Sequence, residues 1–234
     1  MITSLHVDNF KALNDVTIEF SPFTVLIGDN SAGKATVLQA LAFLKYCCTA
    51  SMDKFLDERH MTVADIGSKF SAKEDLSFSV RLRLHGEDIT WDLSIAKGKD
   101  RLSLSSERIL LNKSEILSYG RGKDFRLNER TGRKDPIMAG SYNNSIIGFT
   151  DTERQADVYP TLTALKCFFA HMAAPGLLSP ESMRDGRQGT AEFFGLGGEK
   201  LGSLIKSLSE REREELARDV PKIRAKITAF NRIR

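Results

Sequence analysis

The chain has 234 residues, of which 41% are apolar and 28% charged, a length and balance that suit a folded domain burying roughly 70% of its extended surface and exclude a disordered or fibrous protein. Lysine and arginine outnumber aspartate and glutamate by only 34 to 31, a net charge of +3, so charge alone does not point to a nucleic acid. The most apolar stretch, 164–178, is interrupted by Lys166, His171 and Pro175, which argues against a transmembrane span.

The first ten residues lack a basic region and carry Asp8, and they read as a strand rather than a signal peptide. Three short apolar runs follow one another at 2–7, 16–20 and 23–27, separated by polar turns. The third, with Phe23, Val25, Leu26 and Ile27, is almost continuously apolar and predicts a central strand buried on both faces. From Thr36 the period changes to a helical one, with Val37, Leu38, Leu41, Ala42 and Leu44. The three cysteines, two of them adjacent, offer no disulfide framework and are expected as buried thiols in a cytoplasmic protein.

A short helix is predicted near 52–60. Leu76, Phe78, Val80, Leu82 and Leu84, then Ile89, Trp91, Leu93 and Ile95 across the turn 85–88, alternate strictly and predict an antiparallel hairpin. A third strand through Leu102 and Leu104 leads into 107–117. Residues 119–145 are rich in Gly, Arg, Lys, Asn and Asp and read as a hairpin tip or a mobile surface insertion. The last third is helical: an apolar helix over 160–172, a loop over 176–198, and an amphipathic stripe of Leu201, Leu204, Ile205 and Leu208. Ser209 and Glu212 have capping-box spacing for a helix over 210–219, and Pro221 suits the first turn of another. The charge run at 210–215 reads as a solvated helix face.

Between the third apolar run and the first helix lies Gly28-Asp29-Asn30-Ser31-Ala32-Gly33-Lys34-Ala35-Thr36. Its first seven positions fit the phosphate-binding loop G-x-x-x-x-G-K-[ST], in the strand-to-helix context that this loop requires. Backbone N–H groups of such a loop point at a β-phosphate and the helix N-terminus adds its positive end. Lys34 is expected to reach the β- and γ-phosphates, and Thr36 the α-phosphate. Position 35 departs from the pattern: Ala35 has no hydroxyl for Mg²⁺. Either nucleotide binds without efficient turnover, or water or a neighbour replaces the lost ligand. The four histidines, His6, His60, His85 and His171, fall in different elements without ligand spacing, so no metal site and no catalytic residue is assigned.

Residues 2–11, ending Asn9-Phe10-Lys11, then Ile18-Glu19-Phe20 and 24–41, resemble the N-terminal lobe of the ABC-type ATPases related to RecF, SMC and the OLD nucleases, a group within the AAA family. The hairpin at 76–95, the helix from Pro160, and segments 178–184 and 198–204 follow the order of prokaryotic members. The resemblance implies nucleotide contacts from Gly28 to Thr36, with Asn30 and Ser31 at the loop crown, and places Lys11 near the phosphates or sugar, or else as a solvated turn lysine. It also implies a Walker B strand and a Ser-Gly-Gly signature. Neither is found in the sequence; Leu196-Gly-Gly-Glu-Lys200 resembles the signature but lacks its serine. Arg234 stands about where the signature region of longer relatives begins.

The resulting expectation is an α/β P-loop fold with a mixed sheet, an antiparallel sub-sheet and a helical C-terminal portion, divided into a P-loop lobe over 1–159 and a helical part over 160–234 packed on it. The resemblance implies ATP as ligand, with Mg²⁺ weakened by Ala35, a homodimer or larger assembly, a protein partner supplying the missing motifs, and DNA as a partner by family analogy, without a membrane. The implied role is nucleotide-driven dimerisation coupled to DNA repair or anti-phage defence. The alternative is a non-hydrolysing regulatory or assembly subunit, or a fragment of a longer ATPase.

Overall fold

The structure is a computed structural model that describes residues 1–30, 32–172, 200–212 and 214. It divides into two compact units, Met1–Met172 and Ala173–Arg234. The first unit contains strands β1 (Ile2–Asp8) and β2 (Val16–Glu19), helices α1 (Lys34–Thr49), α2 (Met52–Asp57) and α3 (Val63–Ile66), and strands β3 (Asp75–Leu84), β4 (Glu87–Lys97), β5 (Leu102–Leu111), β6 (Ser114–Tyr119), β7 (Phe125–Asn128) and β8 (Arg133–Pro136). A 3-10 turn (Ile146–Phe149) and helix α4 (Pro160–His171) complete it.

The strands form one eight-stranded sheet in the order β2-β1-β3-β4-β5-β6-β7-β8, and each neighbouring pair is antiparallel. The alternation read from Leu76 to Ile95 is realised residue for residue, with Phe78 opposite Leu93 and Val80 opposite Trp91. Its apolar face is covered by α1 and α4, which pack against each other. Helix α1 buries Val37, Ala40, Phe43, Leu44, Cys47 and Cys48, a stripe at helical spacing. Phe43 meets Phe10 at 5.6 Å and Phe55 at 5.0 Å between ring centroids, and Trp91 meets Phe169 at 5.1 Å, so aromatic contacts join the sheet to α1, α2 and α4.

The chain is α/β as expected, but over the described residues the sheet is antiparallel rather than mixed. The strand predicted over 23–27 is not formed: Phe23, Val25 and Ile27 are 83%, 60% and 90% exposed. After β2 the Ser21 hydroxyl donates to the Phe23 carbonyl at 2.6 Å and the Ser21 N–H donates to the Thr24 hydroxyl at 3.0 Å. That local turn ends the ladder with β1. A strand buried on both faces needs neighbours on both edges, and among the described residues segment 23–27 has neither.

Region 107–117 divides between the end of β5 and β6, joined by Asn112 and Lys113 at φ 47° and 72°, the two left-handed positions of a tight hairpin turn. Of the two readings of 119–145, the hairpin is the one formed: β7 and β8 extend the sheet, and Tyr119 and Phe125 are buried. In the second unit, α5 (Leu201–Ser207) carries the first part of the predicted stripe. Ser209 and Glu212 make the reciprocal capping contacts, with the Ser209 N–H and hydroxyl donating to the Glu212 carboxylate at 2.8 and 2.6 Å. The predicted loop 176–198 and the helix from Pro221 lie outside the described residues, as does most of the helix 210–219.

A β-bulge decides what faces the core in β5. Ser94 pairs with Ser106 and Ile95 with Leu104, leaving Ser105 as an extra residue, and the parity of inward side chains switches from 102 and 104 to 107 and 109. Gly120 faces this bulge at φ 73°, and a Cβ there would stand 2.1 Å from the Ser105 carbonyl oxygen, so no other residue fits. The switch buries Glu107 completely. Its carboxylate accepts from the Trp91 indole N–H at 2.8 Å, the Ile146 N–H at 2.6 Å and the Ser145 hydroxyl.

Burial pushes the Glu107 carboxyl up to about 7, against the three donors that favour its ionised form. Because the folded value lies above the unfolded one near 4.5, the contribution of this group is fully present below pH 4.5 and is lost as pH rises through 7, a change of about 3 kcal/mol. The carboxylates held below their usual range, such as Asp65 and Asp135, act in the opposite sense and only at lower pH. The melting temperature is therefore expected to fall between pH 5 and 7.5, and Glu107→Gln to flatten that slope. A wild-type slope retained in the glutamine variant would assign the titration to another group.

Candidate functional site

The glycine-rich loop follows from its residues. Gly33 is buried at φ 86° and N-caps α1 without a side-chain bond; its backbone conformation favours glycine. The first helical bond runs from the Val37 N–H to the Gly33 carbonyl at 3.1 Å, and the first turn of α1 contains no acidic residue, so the positive end of a 16-residue helix is not neutralised from within. Ahead of it the Ala32 N–H donates to the Asp29 carbonyl at 3.2 Å. The Lys34 ammonium folds back over the loop and donates to the Gly28 and Asp29 carbonyls at 2.6 Å each. A lysine in this posture curls the loop around its own charge, and an anion could exchange for those carbonyls as its partner.

Asp29, Asn30 and Ala32 are exposed, Lys34 and Thr36 are half-buried, and Ser31 lies outside the described residues. Ala35 is exposed and has no donor atom for Mg²⁺. The residues present therefore do not fit the usual metal ligand set at this position. Among the described residues no three His, Cys, Asp or Glu side chains gather to hold a metal. Cys47 and Cys48 are fully buried, and burial raises both thiols well above their ordinary value, so they are packing groups.

The turn after β1 forms one wall. Asn9 and Lys11 take left-handed conformations at φ 60° and 52°, which asparagine tolerates better than most residues. Asn9 is buried. Its side-chain amide donates to the Lys73 and Asp75 carbonyls at 2.7 and 2.9 Å and accepts from the Ser68 N–H at 3.0 Å. Phe10 anchors the turn in the aromatic core. Ala12 and Leu13 then stand 3.6 and 3.5 Å from where a Gly33 Cβ would be, so the turn touches the end of the loop. Lys11 is half-buried beside α1 and donates to the Gln39 side-chain carbonyl at 2.8 Å. Burial and the neighbouring Arg59 lower its pKa.

The structure thus brings Lys11 to the same helix as the loop. Sequence reasoning named Asn9 only within the Asn9-Phe10-Lys11 motif, without a structural role, and passed over Arg59, whose charge acts on Lys11. Asn9 has a legible signal, an asparagine between a strand and a buried aromatic. Arg59 has only the four-residue spacing to Phe55, since Tyr46 and Lys11 come from other elements.

Residues 1–155 match the AAA ATPase domain family, and the chain belongs to it. It is similar to the DNA replication and repair protein RecF of Lachnoclostridium phytofermentans, at 30% identity over 104 residues, 43% of this chain and 26% of that protein. It is also similar to the OLD nuclease of Thermus scotoductus, at 42% identity over 41 residues, 18% of this chain and 8% of that one. The chain therefore matches about a quarter of the length of the RecF relative and under a tenth of the OLD relative. Among solved structures, the recombination mediator RecF-ATP aligns over 82% of this chain and 36% of its own at 13% identity and a TM-score of 0.36. A RecF-ATPrS structure aligns over 50% and 28% at 19% identity and a TM-score of 0.34.

Asn9→Ala is expected to lower stability by roughly 2–4 kcal/mol, from lost hydrogen bonds at a buried site and a left-handed alanine. Asn9→Gly should recover the backbone share. Thermal unfolding of the two variants against the parent measures both, and equal melting temperatures for all three would remove Asn9 as the staple of this turn.

Proposed function

We propose that the chain binds ATP through Gly28, Asp29, Asn30, Ser31, Ala32, Gly33, Lys34, Ala35 and Thr36, with Lys11 beside the phosphates. The observation that carries this reading is the Lys34 ammonium turned inward over the loop carbonyls in front of an unneutralised helix start. A triphosphate entering the loop replaces those carbonyls with charged acceptors, a stronger set of partners. In this reading 1–159 is the nucleotide-binding lobe and 160–234 the helical portion.

The lobe acts as one part of a composite cytoplasmic ATPase. Support comes from segment 23–27, whose exposed Phe23, Val25 and Ile27 are suited to burial between further strands, and from relatives several times longer than the matched region. Nucleotide clamps two protomers, or this chain and a partner carrying the missing motifs, and the closure is coupled to DNA repair or anti-phage defence. Ala35 favours a second reading within the same site: a subunit that binds nucleotide and does not turn it over, because the loop lacks its Mg²⁺ hydroxyl.

Calorimetric titration with ATP tests both readings. Lys34→Ala is expected to weaken binding on the order of 10- to 100-fold. The parent should depend little on Mg²⁺, whereas in Ala35→Ser the metal should strengthen ATP binding by about 1–3 kcal/mol. A strong metal effect already present in the parent and unchanged by serine would mean that another residue supplies the ligand.

A further inference from the structure

Helix α4 has a second apolar face that the core does not use. Leu162, Leu165 and Phe169 are buried, whereas Ala164, Cys167, Phe168 and His171 recur at the spacing of one helical stripe and none of them is buried. That stripe shares a cavity of about 540 Å³ with the end of the β3–β4 hairpin. The hairpin reverses through His85 and Gly86, left-handed at φ 50° and 86°, and contributes Arg83, Leu84 and His85 to the lining. Met1, whose backbone nitrogen donates to the Arg83 carbonyl at 2.6 Å, and Met172, whose carbonyl takes the Lys45 ammonium at 2.8 Å, complete it.

The walls are apolar: Leu84, Ala164, the two methionines, and Phe168, whose ring is held edge-on to Phe169 at 5.4 Å. The polar part is nitrogen. Among the described residues the lining holds one arginine, two histidines, no lysine and no carboxylate. Asp88 engages only the Nε of Arg83, at 2.8 Å, which leaves the terminal nitrogens of the guanidinium for another acceptor. The His171 Nδ1 lies 2.8 Å from the Cys167 carbonyl; a carbonyl only accepts, so Nδ1 carries the hydrogen and Nε2 remains for a further partner.

Apolar walls with a few convergent polar groups, in a volume of this size, are the composition of a small-molecule site. A single guanidinium matches a single negative charge, whereas a phosphate dianion exceeds it. We infer that this cavity binds a small amphipathic monocarboxylate, its apolar tail along the stripe of α4 and its carboxylate on the outer nitrogens of Arg83. The site does not rest on the nucleotide reading: Lys45, which holds its far end, stands eleven residues beyond Lys34 on α1, about 16 Å along the helix.

Cys167 supplies the readout. Cys47 and Cys48 are buried and Cys167 is not, and it lies in the lining, so an occupant shields it from alkylation. The whole chain is treated with iodoacetamide at rising concentrations of octanoate, with octanol as the uncharged control, both below the concentrations at which they aggregate, and alkylation of each cysteine is followed by peptide mass spectrometry. The expected result is saturable slowing at Cys167, with octanol requiring about 10-fold more than octanoate for the same protection, because it lacks the charge-assisted contact. Arg83→Gln is expected to raise the half-protecting concentration of octanoate about 10-fold and to leave that of octanol unchanged. Ala164→Phe, which fills the cavity, is expected to remove the dependence on either ligand. Alkylation that octanoate does not slow, equal protection by the two ligands, or an Arg83→Gln chain that still prefers octanoate overturns the site, as does alkylation of Cys47 or Cys48 on adding octanoate, which reports unfolding. Should Ala164→Phe fail to fold, the two ligands compared in the parent and Arg83→Gln decide the matter alone.

Discussion

Glu107 holds three elements together from a position without solvent contact. Its carboxylate lies on β5, takes the indole N–H of Trp91 on β4, and takes the hydroxyl of Ser145 and the N–H of Ile146 at the start of the 3-10 turn. That turn is fastened on its other sides as well: the Ser145 N–H donates to the Cys47 carbonyl on α1 at 3.1 Å, and the Lys166 ammonium on α4 donates to the Gly148 and Thr150 carbonyls at 2.8 and 2.7 Å. A buried carboxylate is tolerated only where its lone pairs are filled, so the residues around Glu107 are constrained together. The bulge at Ser105 turns it inward, and Gly120 leaves room for the bulge.

The consequence reaches the glycine-rich loop through α1. The helix is pinned near its C-terminal end by the contact of Cys47 with Ser145 and in its middle by Phe43 among Phe10, Phe55 and Phe78. Its first turn then emerges at a fixed place beside the turn after β1, where Asn9 and Phe10 hold Ala12 and Leu13 against Gly33. In the proposed nucleotide reading the loop offers N–H groups to an anion and depends on such supports, because misplaced donors lose most of their electrostatic advantage.

The approach to the loop from β2 is built differently. Segment 23–27 is apolar and largely exposed, and the Ser21–Thr24 turn sets it apart from the antiparallel sheet. One side of the loop is therefore fixed by the core of the first unit, whereas the other gains no ladder from the described residues. This asymmetry belongs to a domain of the AAA ATPase family whose sheet is wholly antiparallel over the described residues.

Local pattern alone determined the hairpin of β3 and β4, the stripe of α1, the capping contact of Ser209 with Glu212 and the loop from Gly28 to Thr36, because each is specified by residues close in the chain: alternation for a strand, a 3.6-residue period for a helix, glycine and lysine spacing for the loop. Tertiary structure decided the rest. The inward turn of Glu107 depends on a bulge that pairs Ser94 with Ser106 and Ile95 with Leu104, the contact of Lys11 with Gln39 depends on the turn after β1 converging on α1, and segment 23–27, apolar enough to be a central strand, remains without one because β-structure exists only as a pair. Strand propensity is a property of the segment, but the partner that completes the ladder lies outside it.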